Sequence, residues 1–200
     1  MFDWLLPEKH AVAILKKDHD VVKGLFDRFQ KAEKPAAKKK IMEQALTELK
    51  IHAILEEEIF YPAVRRQIGA KVMNEADEEH HVAKVLIAEL DHAADRNDHL
   101  DAKFTVLAEN VRHHIKEEEE RMLPEAKELD IDFEELGQRM LNRKSRLLAD
   151  GIPADSEHAM VAKAKGHEDS PARAASRRRV PAPKKVSVTR NGKSHGRGVR

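Results

Sequence analysis

The sequence contains no cysteine among its 200 residues. Disulfide bonds, iron–sulfur clusters and thiolate zinc sites are therefore excluded, because each of them needs cysteine sulfur. The chain does offer twelve histidines and 36 aspartates and glutamates. A metal centre in this protein would have to be built from imidazole and carboxylate groups.

Aromatic residues make up only 4% of the chain, and glycine and proline contribute eight residues each. This composition favours helices rich in Ala, Leu, Glu and Lys and leaves few residues suited to strands. No apolar run approaches the length of a membrane span, and the N-terminal MFDWLLPEKH lacks the basic lead of a secretory signal. We therefore predict an all-α, cytoplasmic protein that does not interact with membranes.

Charge divides the chain into two parts. Residues 1–150 contain 25 Lys and Arg against 32 Asp and Glu, whereas residues 151–200 contain 12 against 4. The second part is rich in Pro, Gly, Ser, Arg and Lys and has no apolar periodicity, which is typical of disorder. We predict one folded domain over residues 1–150 and a disordered basic tail over 151–200. The tail either binds nucleic acid or an acidic partner weakly, or only improves solubility.

Apolar residues recur at intervals of three and four in four long segments, which predicts four amphipathic helices. They cover about residues 7–33, 36–67, 70–94 and 100–127, and a shorter helix covers about 133–148. Short connections force neighbouring helices to be antiparallel. The sequence therefore predicts an up-down-up-down four-helix bundle with a short extra C-terminal helix.

Each long helix carries one histidine in its apolar stripe, near the middle of the helix. These histidines are His19, His52, His80 and His114. Mid-helix positions share one depth in an antiparallel bundle, so the four imidazoles should converge on one layer of the core. Two of the histidines are followed four residues later by a glutamate on the same helix face, Glu56 and Glu118.

The segments around these glutamates share one pattern. HAILEEEIFYP (52–62) and HIKEEEERMLP (114–124) both place three glutamates four, five and six residues after the histidine, and a proline ten residues after it. Only the first glutamate of each run has the phase of the apolar stripe, so the others should face the flank or solvent. Buried carboxylates without partners cost several kcal/mol or become protonated, and cations remove that penalty. A mixed nitrogen and oxygen donor set favours iron or manganese, with zinc as an alternative.

These two segments, together with KKDHD (16–20) and EEHHVAKVLIAEL (78–90), resemble the hemerythrin-like HHE cation-binding domain family. The resemblance covers about residues 8–127. It implies a four-helix bundle with two non-haem iron ions, joined by an oxo or hydroxo bridge, that bind O2 or a related small ligand. The metal ligands that it implies are His19, His52, Glu56, His80, His114 and Glu118.

Two features depart from hemerythrins proper. Their fifth histidine lies one turn from the histidine of the third helix, where this chain has Ala76 and Lys84. Their final aspartate follows the last histidine by five residues, where this chain has Glu119, one position after Glu118. We therefore expect one metal to have a vacant or differently filled position, which favours a sensor or scavenger of O2, peroxide or nitric oxide over a simple oxygen carrier.

Two other functions stay open at this point: an iron store or donor, and a structural bundle that works through its nucleic-acid-seeking tail. No nucleophile triad, phosphate loop or nucleotide motif is recognisable, so any activity would belong to the metals, and enzyme status is left open. We predict a monomer. We also expect Tyr61 to pack near Pro62 away from the site, Glu79 to point away from the metals, and His10 to lie on the surface.

Overall fold

The structure is a computed structural model that describes residues 6–91 and 98–153. Within these residues all regular elements are helical and no strand occurs, so the predicted all-α class is confirmed. In the same part of the chain, no helix combines the length and the apolar character that crossing a membrane requires. The predicted tail lies outside the described residues from position 154 onward, as does most of the predicted turn at 95–98.

Seven α-helices and two π-helical turns make up the described chain. In order they are α1 (Ala11–Lys31), α2 (Pro35–Leu55), a first π turn (Glu56–Phe60), α3 (Tyr61–Val64), α4 (Ala70–Asp91), α5 (Asp98–Glu117), a second π turn (Glu118–Met122), α6 (Leu123–Lys127) and α7 (Phe133–Asp150). Helix α1 packs against α2, α4 packs against α5, and α7 packs against α1, α2 and the first π turn.

Helix α1 begins later than predicted because a side chain caps it. The Nδ1 atom of His10 accepts a hydrogen bond from the backbone N–H of Val12 at 3.2 Å, and the imidazole stacks on Phe133 of α7 with 5.0 Å between ring centroids. His10, which was expected on the surface, is half-buried where it contacts α7. Helix α7 has its own cap, Asp132, whose Oδ1 accepts from two backbone N–H groups of the first turn.

The second and fourth predicted helices are interrupted by the π turns. In the first turn, the N–H of Tyr61 donates to the carbonyl of Glu56, five residues earlier. Pro62 follows directly, and its ring would clash with the carbonyl four residues back in a regular α-helix. The wider turn accommodates the proline, and the second π turn does the same ahead of Pro124.

Each π turn also rotates the residues that follow it. One extra residue in a turn moves later side chains about 100° around the helix axis. As a result Tyr61 and Val64 are buried, whereas Ala63, which the regular helical phase placed in the core, is only half-buried.

Two apolar clusters fill the bundle on either side of a polar layer. One contains Leu15, Leu55 and the apolar face of α7, and the other contains Val22 and Phe104. Leu15 and Val22 flank His19 along α1, so the histidine lies between the two clusters. The apolar stripe of α1 is buried throughout and consists of Val12, Leu15, His19, Val22, Phe26 and Phe29.

Candidate metal centre

The polar layer consists of four imidazoles and two carboxylates, each at most 6% exposed. They are His19, His52, Glu56, His80, His114 and Glu118. Their donor atoms form two groups within which the atoms lie no more than 4.8 Å apart, one from His19, His52, Glu56 and Glu118, the other from Glu56, His80 and His114. The structure thus brings together all six residues that the sequence singled out.

Glu56 lies between the two groups and faces both of them. Its Oε1 is 3.2 Å from Nε2 of His52 on the preceding turn. Its Oε2 is 3.2 Å from Nε2 of His80 on α4. The two oxygens of this carboxylate therefore point to different imidazoles, which is the arrangement that a bridging carboxylate needs.

Glu118, on the second π turn, belongs to the first of the two groups only. Its Oε2 is 3.3 Å from Nε2 of His19 and 3.6 Å from Nε2 of His114. Its Oε1 accepts a hydrogen bond from the hydroxyl of Tyr61 at 2.8 Å, and that hydroxyl also lies 3.1 Å from Nε2 of His80. The prediction that Tyr61 packs away from the site is wrong, because the π turn rotates it into the layer.

A carboxylate lies behind every one of the four imidazoles. Glu119 is 2.9 Å from Nδ1 of His19, Glu57 is 2.9 Å from Nδ1 of His80, Glu79 is 2.8 Å from Nδ1 of His114, and Asp18 is 3.9 Å from Nδ1 of His52. Glu57, Glu79 and Glu119 lie behind the rings and away from the centre of the layer, as expected, but the sequence did not predict that each carboxylate contacts a ring nitrogen. Where the ring Nδ1–H donates outward in this way, the Nε2 lone pair is directed to the centre of the layer.

The outer carboxylates are themselves paired. Lys23 lies 3.2 Å from Glu119, Lys84 lies 2.5 Å from Glu57, Lys144 of α7 lies 2.6 Å from Asp18, and His113 lies 3.4 Å from Glu79. Each of the four outer carboxylates thus has a basic side chain on its outer side.

The arrangement follows an internal repeat of the chain. DHDVVK (18–23) on α1 matches EHHVAK (79–84) on α4, and HAILEEEIFYP matches HIKEEEERMLP. We refer to residues 11–64 as the first half and to residues 70–127 as the second half. In both halves an acidic residue precedes the first histidine, His19 or His80, and a lysine follows it by four residues. These residues belong to the outer carboxylates and their basic partners, and the pattern becomes visible only when the two halves are aligned.

The electrostatics of the layer favour charged forms despite complete burial. Burial opposes a charged imidazole, yet the carboxylates of Glu56 and Asp18 raise the pKa of His52 to about 10. Burial is likewise overcome at His80, where Glu56 and Glu57 raise the pKa to about 9. Burial also opposes a charged Glu56, but the neighbouring imidazoles hold its pKa well below its ordinary value. Without another cation, protons therefore balance the buried carboxylates.

Several buried atoms of the layer have no hydrogen-bond partner within the described residues. They are Nε2 of His19, both ring nitrogens of His52, both oxygens of Glu56 and Oε2 of Glu118. The Nε2 atoms of His80 and His114 lie 3.1 Å apart, so one of these rings donates a hydrogen bond to the other. Buried polar atoms without partners are costly, so these donors fit a pair of cations in their midst.

The family model described as the hemerythrin HHE cation-binding domain matches residues 10–126. The chain belongs to this family. The matched range contains all six residues of the layer and both π turns, and it ends before α7. The recognition made from the sequence motifs is therefore confirmed.

This chain has relatives in mycobacteria. Uncharacterised proteins of Mycobacterium bovis and Mycobacterium tuberculosis (strain H37Rv) are both 27% identical over 142 residues, which is 69% of this chain and 87% of each relative. A crystal structure of a hemerythrin HHE cation-binding domain-containing protein from Mycobacterium kansasii superimposes with a TM-score of 0.58 at 25% identity, covering 76% of this chain and 98% of that one. These likenesses support the helical HHE fold.

Proposed function

We propose that the protein holds a non-haem di-iron centre that binds O2 or a related small ligand such as peroxide or nitric oxide, in a sensor or scavenger. The proposed metal ligands are His19, His52, Glu56, His80, His114 and Glu118. The observation that carries the proposal is the convergence of buried donor atoms that lack hydrogen-bond partners on one layer. A structural core would place apolar or mutually paired groups there, since each buried unpaired group costs about 1–3 kcal/mol.

The donor set favours iron or manganese over magnesium and calcium. Four imidazoles and two carboxylates suit iron or manganese, while the hard oxygen sites of magnesium or calcium contain no imidazole. If Glu56 and Glu118 both bridge, six residues supply eight metal–ligand bonds. Two five- or six-coordinate irons would then keep roughly two to four positions for a bridge and an external ligand.

A small chamber beside the imidazoles supports a small external ligand. It has a volume of about 30 Å³ and is lined by His19, His52, His80 and His114 together with apolar residues such as Val22 and Ile87. Such a space holds one molecule of about the size of water. Dioxygen or nitric oxide matches this size, whereas an organic substrate would require the core to open.

The proposal is tested by absorption spectroscopy of iron-loaded protein, first reduced under nitrogen and then exposed to air or nitric oxide. We expect a near-ultraviolet charge-transfer band that changes with each ligand. His80→Ala should abolish the band, whereas His81→Ala, one residue away and outside the layer, should retain it. A spectrum that changes with neither gas, together with iron that chelators remove readily, would instead indicate an iron store or donor.

We also propose that the four long helices alternate in direction, as the short link between α1 and α2 and their packing favour. The cytoplasmic location, the monomeric state and weak binding of nucleic acid or an acidic partner by the tail stay predictions from the sequence.

A further inference from the structure

A pocket of about 280 Å³ opens on the second half of the chain, between α4 and the end of α5 with the second π turn. Its polar lining consists of Glu75, Glu79, His113, Glu117, Glu118 and Arg121. Four carboxylates therefore face one guanidinium and one imidazole. A cleft lined mainly by one sign of charge concentrates ions of the opposite sign.

The inner end of this pocket reaches the polar layer at Glu118. Glu118 is 1% exposed, and its Oε2 has no hydrogen-bond partner in the described part of the chain. Glu79, on the wall of the pocket, accepts from Nδ1 of His114. The pocket thus leads from the surface to a buried carboxylate that we propose as a metal ligand.

Three charged residues form the outer part of the pocket, which we call the mouth: Glu75, Glu117 and Arg121. Arg121 pairs with Glu117 on its own helical run and lies 3.5 Å from Glu75 on α4. All three are between 36% and 46% exposed. The guanidinium therefore spans the gap between the two helices and occupies carboxylates that a dissolved cation would otherwise contact.

The repeat places an equivalent groove in the first half of the chain. The residues that correspond to the mouth are Ile14, Leu55 and Ile59, and all three are buried. They belong to the same apolar cluster as Phe133, Leu136 and Met140 of α7. Helix α7 covers the first groove, while the charged second groove stays open.

We propose that the second groove is the entry and exit route for divalent cations, and that Arg121 acts as a competing cation that slows passage through the mouth. The inference rests on the proposed metal function of the layer. Such a route explains why the groove of the first half is apolar and covered by α7, whereas the corresponding groove of the second half is charged and open. All six donors are nearly inaccessible to solvent, so metal loading needs a route of this kind.

The experiment measures the rate of Co²⁺ uptake by metal-free full-length protein in a stopped-flow spectrometer, together with the final number of ions bound. Arg121→Gln removes the competing charge and should speed uptake about 3- to 10-fold at low ionic strength. Glu75→Gln combined with Glu117→Gln should slow it by a similar factor. Both effects should shrink as salt is added, since the charges are solvent-exposed.

The matched control is the pair of Arg143 on α7 and Glu58 on the first π turn, which lie 2.8 Å apart on the covered side. Arg143→Gln changes the net charge by the same amount as Arg121→Gln, and Glu58→Gln by half as much as the double glutamate variant, but both should leave the uptake rate within a factor of two of wild type. Equal effects at both places would refute the entry route and indicate only general electrostatic attraction. Unchanged rates in all variants, with two ions bound, would also refute it while leaving the metal site intact. Failure of wild-type protein to bind Co²⁺ or Fe²⁺ at all would refute the proposed function and the route with it.

Discussion

Gly137 provides a sharp test of how α7 is held against the rest of the protein. A Cβ at this position would lie 1.8 Å from the carbonyl oxygen of Lys9 and 2.9 Å from the backbone nitrogen of Ala11. Both neighbours are backbone atoms, so no side-chain rotation relieves the overlap. Gly137→Ala therefore requires α7 to shift by about 1 Å, which overpacks the contact.

The magnitude follows from two opposing effects. Overpacking against backbone costs about 3 kcal/mol, and the better helix propensity of alanine returns about 1 kcal/mol. The net loss of about 2 kcal/mol should lower the melting temperature of the metal-free protein by about 4–8 °C. Thermal unfolding followed by circular dichroism measures this.

Gly24 in the middle of α1 is the matched control, because a Cβ there meets nothing within 4 Å. Gly24→Ala should raise the free energy of unfolding by about 0.5–1 kcal/mol. The two identical substitutions are therefore expected to differ in sign. A Gly137→Ala protein at least as stable as wild type would refute the described docking of α7 on the start of α1.

Four further predictions concern the layer itself. Tyr61→Phe removes a buried hydroxyl donor and should lower the unfolding free energy of metal-free protein by about 1–2 kcal/mol in urea denaturation, and an unchanged midpoint would contradict the hydrogen bonds assigned to it. The pKa is about 10 for His52 and about 9 for His80, so both imidazoles are protonated at pH 8. Metal loading in weak buffer should therefore release about two protons per chain. A pH indicator that does not respond during loading would contradict this. The raised pKa values of His52 and His80 also stabilise the metal-free fold. This contribution to the free energy of unfolding is complete below about pH 6.5. It should be lost as the pH rises through 9 and 10. Asp18→Asn should weaken metal binding about tenfold in competition titrations, whereas Asp20→Asn, 76% exposed, should not, and equal affinities would remove Asp18 from the site.

The depth of the polar layer could be predicted from the sequence because helical periodicity is a strong constraint. A residue in the apolar stripe of an amphipathic helix has to face the core. His19 and His114 interrupt such stripes near the helix centres, so their burial follows from spacing alone. The same argument separates Glu118 from Glu120, which is exposed.

The surroundings of the layer could not be predicted in the same way. Regular periodicity assumes 3.6 residues in every turn, and the π turn before Pro62 breaks that assumption, which is why Tyr61 was placed outside. The proline was the available signal, since a proline inside a helix demands a local rearrangement. Glu57 and Glu79 lie at the edge of their stripes, and only the packed structure shows that their carboxylates reach the ring nitrogens of His80 and His114.

The docking of α7 depends on contacts that leave little trace in the sequence. Its apolar stripe predicts a helix on the outside of the bundle but not the groove that it covers. Lys144 reaches Asp18, and Gly137 permits the close approach to Lys9. These are long-range pairings between distant segments of the chain, which local patterns do not encode.

The most direct test of the central claim is a calorimetric titration of metal-free, full-length protein with Fe²⁺ under nitrogen, with bound iron counted after gel filtration. The account predicts two ions per chain for wild type. Loss of both ions is expected when a carboxylate placed between the imidazoles is removed in Glu56→Ala. Binding of no iron, or binding of two ions that survives this substitution, would contradict a di-iron centre in the layer.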